Sequence, residues 1–168
     1  MTTERPRIPM IADERETLRG FLEFHRATLA MKCDGLSDED LRRQSMPPST
    51  LSLLGLVRHM AEVERNWFRR VMAGEDIPLV WSDSFDFQAA YDAREATRAE
   101  AFAAWEAEVA HARRIEAEVE SLDVTAHAAR WDADVALRTV MQHMILEYGR
   151  HNGHADLLRE GIDGTVGV

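Results

Sequence analysis

The five prolines of this 168-residue chain stand in only three places: Pro6 and Pro9, Pro47 and Pro48, and Pro78. Proline lacks a backbone donor and clashes inside a helix, so these positions punctuate whatever regular structure the chain adopts. Four long proline-free stretches remain. Each carries apolar residues at three- and four-residue steps, and no segment alternates convincingly as a strand would. The pattern predicts an all-α fold, and four long helices with two long connections match a four-helix bundle.

The first helix is expected from about Asp13 to Met31, with Leu18, Phe21, Leu22, Phe24, Leu29 and Met31 as its apolar residues. A loop at Gly35 follows, then a short helical turn beginning at Ser37, where the serine can cap and the next acids suit a helix N-terminus. Pro47, Pro48, Ser49, Thr50 and Ser52 open the second helix, whose face of Leu53, Leu56, Met60, Val63, Trp67 and Val71 stops near Ala73 and Gly74. The stretch from Glu75 to Asp86 reads as a long, partly aromatic connection. A third helix is placed at roughly Phe87 to Ser121, peripheral or interrupted, because it is rich in alanine and charge. A second linker runs through Trp131, and the last helix covers about Val135 to Glu160, ended by Gly161. One domain over 1–168 is expected, with 1–10 a loose tail.

Composition narrows the function classes. Thirty acidic against twenty basic residues give a formal charge of −10, a field that repels phosphate backbones and anionic membranes. Nucleic acid and membrane are therefore not expected partners. Cys33 is the single cysteine, so there is no internal disulfide, redox pair or thiolate zinc cage. The start, MTTERPRIPM, lacks a signal peptide's apolar core, and a cytoplasmic protein is expected.

The last helix holds an anomaly. Its inward seam runs Leu137, Val140, Met144, Glu147, His151, His154, Leu158, residues that share one face. The first three and the last are apolar, and the middle three are not. A carboxylate buried without a partner is costly, and a divalent metal satisfies both Glu147 and His151, which the i, i+4 spacing stacks together. The second helix matches this: His59 lies three residues after Leu56 and four before Val63, on the apolar stripe. If the two helices are neighbours, His59, Glu147 and His151 form a His₂Glu set with an open position, the pattern of a catalytic zinc site. The same ligands accept nickel, cobalt, manganese or ferrous iron.

Bland readings stand beside this one. A lone inward histidine is usually a core residue with one hydrogen bond, and a Glu-xxx-His pair is often a solvated helix pair. What separates these three residues is their joint position on the apolar stripes of long helices. His154 can replace a ligand, support one or carry a proton, and His143, one turn before Glu147, has the same range of roles. His25 reads as core or as support for a ligand, and His111 and His127 as surface. Trp67, Trp105 and Trp131 read as packing.

The segment HMAEVERNWFRR from His59 and the segment RTVMQHMILEYGRHNGHADLLREGIDG from Arg138 resemble the DinB-like superfamily, and more closely its mycothiol-dependent branch. The helix pattern covers nearly the whole chain, but those two stretches carry the specific match. The resemblance implies an up-down-down-up four-helix bundle with a metal held by one histidine of the second helix and two ligands of the last. The common pattern for those last two is His-xxx-His. The mycothiol-dependent maleylpyruvate isomerase has Glu first, which corresponds here to Glu147 with His151. That isomerase has a second domain contributing to its active site and this chain ends at Val168, so isomerase activity is not carried over.

The resemblance implies a thiol transferase with one divalent ion, zinc or nickel foremost, and a low-molecular-weight thiol, mycothiol, as co-substrate. The metal would hold the thiol as thiolate for attack on a small electrophile, with His154 or His143 assisting proton transfer. Arg138 and Arg150, with Arg159, are candidate contacts for the co-substrate. Cys33 lies away from the motifs and is not the expected nucleophile. A metal-dependent hydrolase with activated water is one alternative. A stress-associated metal-binding protein without turnover is another. Such bundles can pair as homodimers, though no surface seam in this sequence marks one.

Overall fold

Each helix but the last begins where a short polar side chain substitutes for a missing backbone acceptor. Asp13 accepts from the Glu16 amide at the start of α1 (Glu14–Lys32), and Ser37 caps the short α2 (Asp38–Arg42). Ser52 caps α3 (Leu53–Glu64), and Thr97 caps α4 (Arg98–Glu118). The last helix, α5 (Leu137–Asp163), has no such cap. Its first amides are instead taken by the loop before it, Leu137 N–H by Val124 O and Arg138 N–H by Leu122 O, each at 3.0 Å. α5 ends at Gly164, whose φ of 79° is the left-handed geometry that glycine adopts freely. The computed structural model describes residues 4–167, and the chain is mostly helical. Among the described residues, no helix is long and apolar enough to cross a membrane.

Helix α5 packs against α1 on one side and α3 on the other, while α4 packs against α3. The core between them is built from Leu22 and Leu29 of α1, Leu53, Leu56 and Met60 of α3, Trp105 and Val109 of α4, and Val140, Met144 and Tyr148 of α5. Beyond Glu64 the α3 backbone widens into a π-helical segment, Arg65–Met72, closed by the Ala73 amide on the Phe68 carbonyl, five residues back. The wider turn steps the side chains out of ordinary helical register. Such insertions concentrate at functional sites.

Two expectations change. The third helix does not run from Phe87 to Ser121. A 3₁₀ turn, Phe87–Tyr91, is followed by an irregular link before α4 begins at Arg98. The break has a packing cause. A Cβ on Gly55 would sit 2.8 Å from the Tyr91 carbonyl oxygen, so the glycine lets this turn lie directly on α3, where Arg58 Nε also donates to Ala90 O. Next, the linker through Trp131 contains a β-hairpin. Strand β1 (Thr125–Ala128) pairs antiparallel with β2 (Ala133–Ala136), with Thr125 opposite Ala136 and Ala128 opposite Ala133. Four-residue strands are too short for alternation to show, and the turn uses Asp132 at φ 47°, tolerated by aspartate. The hairpin rests on the π-helical segment. Within the expected tail, Arg5 lies over the Phe24 ring at 5.0 Å, and Pro9 packs against Gly20. Residues 1–3 of the expected tail lie outside the described residues.

Candidate metal centre

His59 sits nearly two turns into α3, on its inward stripe, where α3 faces α5. From α5, Glu147 and His151 project one turn apart toward the same point. His151 Nε2 lies 3.3 Å from Glu147 Oε2, and His59 Nε2 lies 3.7 Å from that same oxygen. One ligand atom from each of the three lies within 4.8 Å of the others. The His59 and His151 rings meet edge to face with centroids 4.6 Å apart.

Whether these residues suit a metal is tested by what they lack. Both ring nitrogens of His59 are buried without a hydrogen-bond partner, a costly state for a polar group held away from water. Burial pushes the His59 pKa down, so the ring is neutral at pH 7 and keeps a lone pair for a cation. Glu147 is held well below the usual carboxylate range by the facing rings of His151 and His59, so it is ionised. Two imidazoles and one carboxylate, converging and otherwise underused, fit a divalent ion.

The supports are specific. His154 Nδ1 lies 3.3 Å from His151 Nδ1, so the ring nitrogen of His151 that faces away from Glu147 has a partner, the arrangement that fixes a ligand histidine's tautomer. Tyr91 stacks on His59 with centroids 4.5 Å apart and planes 17° from parallel. Burial, then Glu147, raises its pKa to about 12, so the phenol stays neutral. Near the candidate ligands, Glu64 is fully buried. It takes a bidentate pair of bonds from Arg26, at 2.8 and 2.7 Å, and one from Tyr148 Oη at 2.7 Å, while Trp105 Nε1 donates to that oxygen at 2.8 Å.

The ligand atoms open into a cavity of about 290 Å³ walled by Trp67, Phe87, Tyr91 and Trp131, with Arg150 at its edge. His143 stands at the same opening, its Nε2 3.6 Å from Glu147 Oε1 and its ring 4.6 Å from that of Trp67. Of the arginines singled out in the sequence, only Arg150 faces this space. Arg138, in the first turn of α5, is ion-paired with Glu14, at 2.6 Å, and with Asp123, and does not line this cavity. Arg159 donates to the carbonyls of Lys32 and Asp34, closing the end of α1. His25 meets Asn152 on the α1–α5 side, and His127 is exposed beside Asp134. Cys33 is fully buried, and burial pushes its thiol up to about 12, which suits no nucleophile.

Several site residues escaped the sequence reading. Trp131 is more than packing: it stacks on Trp67 at 4.9 Å yet stays 49% exposed, forming part of the cavity wall. Tyr91 and Arg130 reach the site through the irregular turn and the hairpin tip, neither of which leaves a periodic signal. Tyr148 follows Glu147 directly, and an aromatic one step off the seam of a 27-residue helix was the available hint, because a straight helix drifts from a 3.5-residue repeat.

A family model described as Mycothiol-S-transferase matches residues 17–164, a span that includes all three converging side chains. No curated protein matches the chain.

Proposed function

Because this chain belongs to the mycothiol S-transferase family, we propose that it joins a low-molecular-weight thiol, mycothiol, to a small electrophile at a divalent ion held by His59, Glu147 and His151. The observation that carries this reading is the pair of partnerless His59 ring nitrogens facing a depressed carboxylate and a second imidazole. Zinc and nickel are the leading ions for this donor set. When bound, such an ion lowers the pKa of a thiol so that the nucleophilic thiolate exists at neutral pH.

The chain's own residues do the rest. Tyr91 holds the His59 ring from one face and His154 holds His151 from behind, so the donor atoms are set before any ligand arrives. Trp67, Phe87 and Trp131 line the cavity and keep bulk water from the reacting groups. His143, at the opening, takes up the thiol proton on its imidazole. Arg150 meets polar groups of the co-substrate at the edge. In this reading the four long helical segments form a single up-down-down-up bundle working in the cytoplasm, where small thiols are kept reduced.

The test is metal content of the wild-type chain beside His59→Ala, Glu147→Ala and His151→Ala, together with thiol-dependent conjugation of an electrophile. About one ion per chain, lost in each variant along with conjugation, is the expected result. Full metal content in all three variants overturns the ligand set. Turnover without thiol would replace the transferase with a hydrolase.

A further inference from the structure

Beyond the metal cavity lies a second one of about 430 Å³, and the two share Asn66, Phe87, Arg130 and Trp131. Nothing in the metal centre uses this outer space. Its walls combine aromatic surface, from Phe85, Phe87 and Trp131, with the cationic side chains of Arg70 and Arg130. Phe85 is 57% exposed and has φ 59°, a backbone state that is strained for a bulky residue and that gathers at ligand sites.

The charge distribution points the same way. Acidic residues outnumber basic ones by thirty to twenty, and the guanidinium groups are mostly claimed. Arg65 and Arg69 share Glu108, Arg15 and Arg19 share Glu116, and Arg26 holds Glu64. Arg70 donates to the Ile77 carbonyl. Among the described residues, Arg7, Arg130 and Arg150 have neither a hydrogen bond nor an ion pair, and the last two border the metal cavity. An exposed arginine with no partner is ordinarily just solvated. Arg130 differs because its guanidinium is held against Phe87 at 5.0 Å and Trp131 at 5.5 Å. Stacking fixes the plane of the fork and leaves its N–H edge free, which is the presentation that suits bidentate recognition of a carboxylate.

We infer that the outer cavity seats the second substrate and selects a flat, unsaturated or aromatic molecule bearing a carboxylate. The flat body lies against Phe87 and Trp131, and the carboxylate meets Arg130 at the edge the two cavities share. That this molecule is the electrophile rests on the thiol-transfer reading; the anion seat does not.

The probes are 3,5-dinitrobenzoate and its neutral partner 3,5-dinitrobenzamide, titrated calorimetrically into the full chain with and without bound metal. The benzoate is expected to bind about tenfold more tightly, the worth of one hydrogen bond to a charged group. Arg130→Gln removes that preference and Arg130→Lys keeps part of it. Equal affinities, no binding of either probe, or a preference that survives in Arg130→Gln overturns the seat. A preference that vanishes when metal is removed also overturns it, because the ion would then be the anion's partner. Conjugation of mycothiol to neutral 1-chloro-2,4-dinitrobenzene separates the two ideas. Conjugation without a benzoate preference sinks the seat alone, whereas a benzoate preference with no conjugation of any electrophile sinks the transferase alone.

Discussion

Tyr148 Oη donates a 2.7 Å hydrogen bond to Glu64 Oε1, tying α5 to α3 beside the candidate metal centre. Tyr148 directly follows Glu147, and Glu64 lies five residues after His59, so this bond sets the register between the two helices that carry the candidate ligands. Both side chains are fully buried, and Arg26 completes the cluster from α1. The convergence of the three candidate ligands therefore depends on a polar cluster that is not part of it.

Removing the cluster's acid is expected to be severe. Glu64→Ala leaves the buried Arg26 with only the partly exposed Glu23 as an ion partner, a loss of about 3–5 kcal/mol. Tyr148→Phe strands one Trp105 donor and weakens the Glu64 site, a loss of about 1–3 kcal/mol. Because the two share one network, the double variant should lose less than the sum. Urea denaturation of the four proteins checks this. Additive losses would mean the cluster does not act as a unit.

The metal-free chain should lose stability as pH falls. Burial lowers the folded pKa of His59, and likewise of His25 and His154. Below the ordinary histidine pKa of about 6.5, the unfolded rings take up protons that the folded rings refuse. The unfolded state then binds more protons, so stability drops from about pH 6.5 downward. Glu147 acts in the same direction at lower pH. Its folded pKa is depressed, so its contribution is present above about pH 4.5 and is lost as pH falls toward that folded value. Denaturation midpoints at pH 7, 6 and 5 read the histidine part directly. A midpoint constant over that range would count against it.

Metal retention should depend on His154 without His154 being a ligand. His154→Ala removes the partner of His151 Nδ1, and metal affinity is expected to fall about 10–100-fold. His154→Asn, which can still hydrogen-bond, should recover part of that. Competition with a chelator of known affinity measures both. Stoichiometry near one ion should persist at saturating metal; its loss would promote His154 to a ligand.

Gly55 is expected to tolerate no side chain. The new Cβ of Gly55→Ala would meet the Tyr91 carbonyl at 2.8 Å and Ser52 Oγ at 3.2 Å. Overpacking against backbone costs about 1–3 kcal/mol, and the displaced turn carries Tyr91 away from His59. The variant should show lowered thermal stability together with weaker metal binding. Wild-type values for both would show that the turn is free to shift.

Much of this protein was legible without coordinates, because helices are written in local spacing. The i, i+4 step alone stacks Glu147 on His151, and His59 is marked by standing polar on an apolar stripe. The span of α1 lies within about a residue of the one expected, and α3 continues as the π-helical segment to Met72, next to the expected stop at Ala73. Local spacing says nothing about which helix lies beside which, and only the folded chain brings His59 within reach of Glu147, 88 positions later in the sequence. The same holds for Arg26 with Glu64 and Tyr148, each of which is by itself an unremarkable residue of its helix. Arg130, Trp131 and Tyr91 enter the site from a short hairpin and an irregular turn, where no period exists to be read and packing against α3 and its π-helical end decides the path. The helices and two of the three candidate ligands are thus properties of neighbours along the chain. The third ligand, the cavity walls and the buried cluster are properties of contacts between distant segments, which a sequence specifies only through the folded whole.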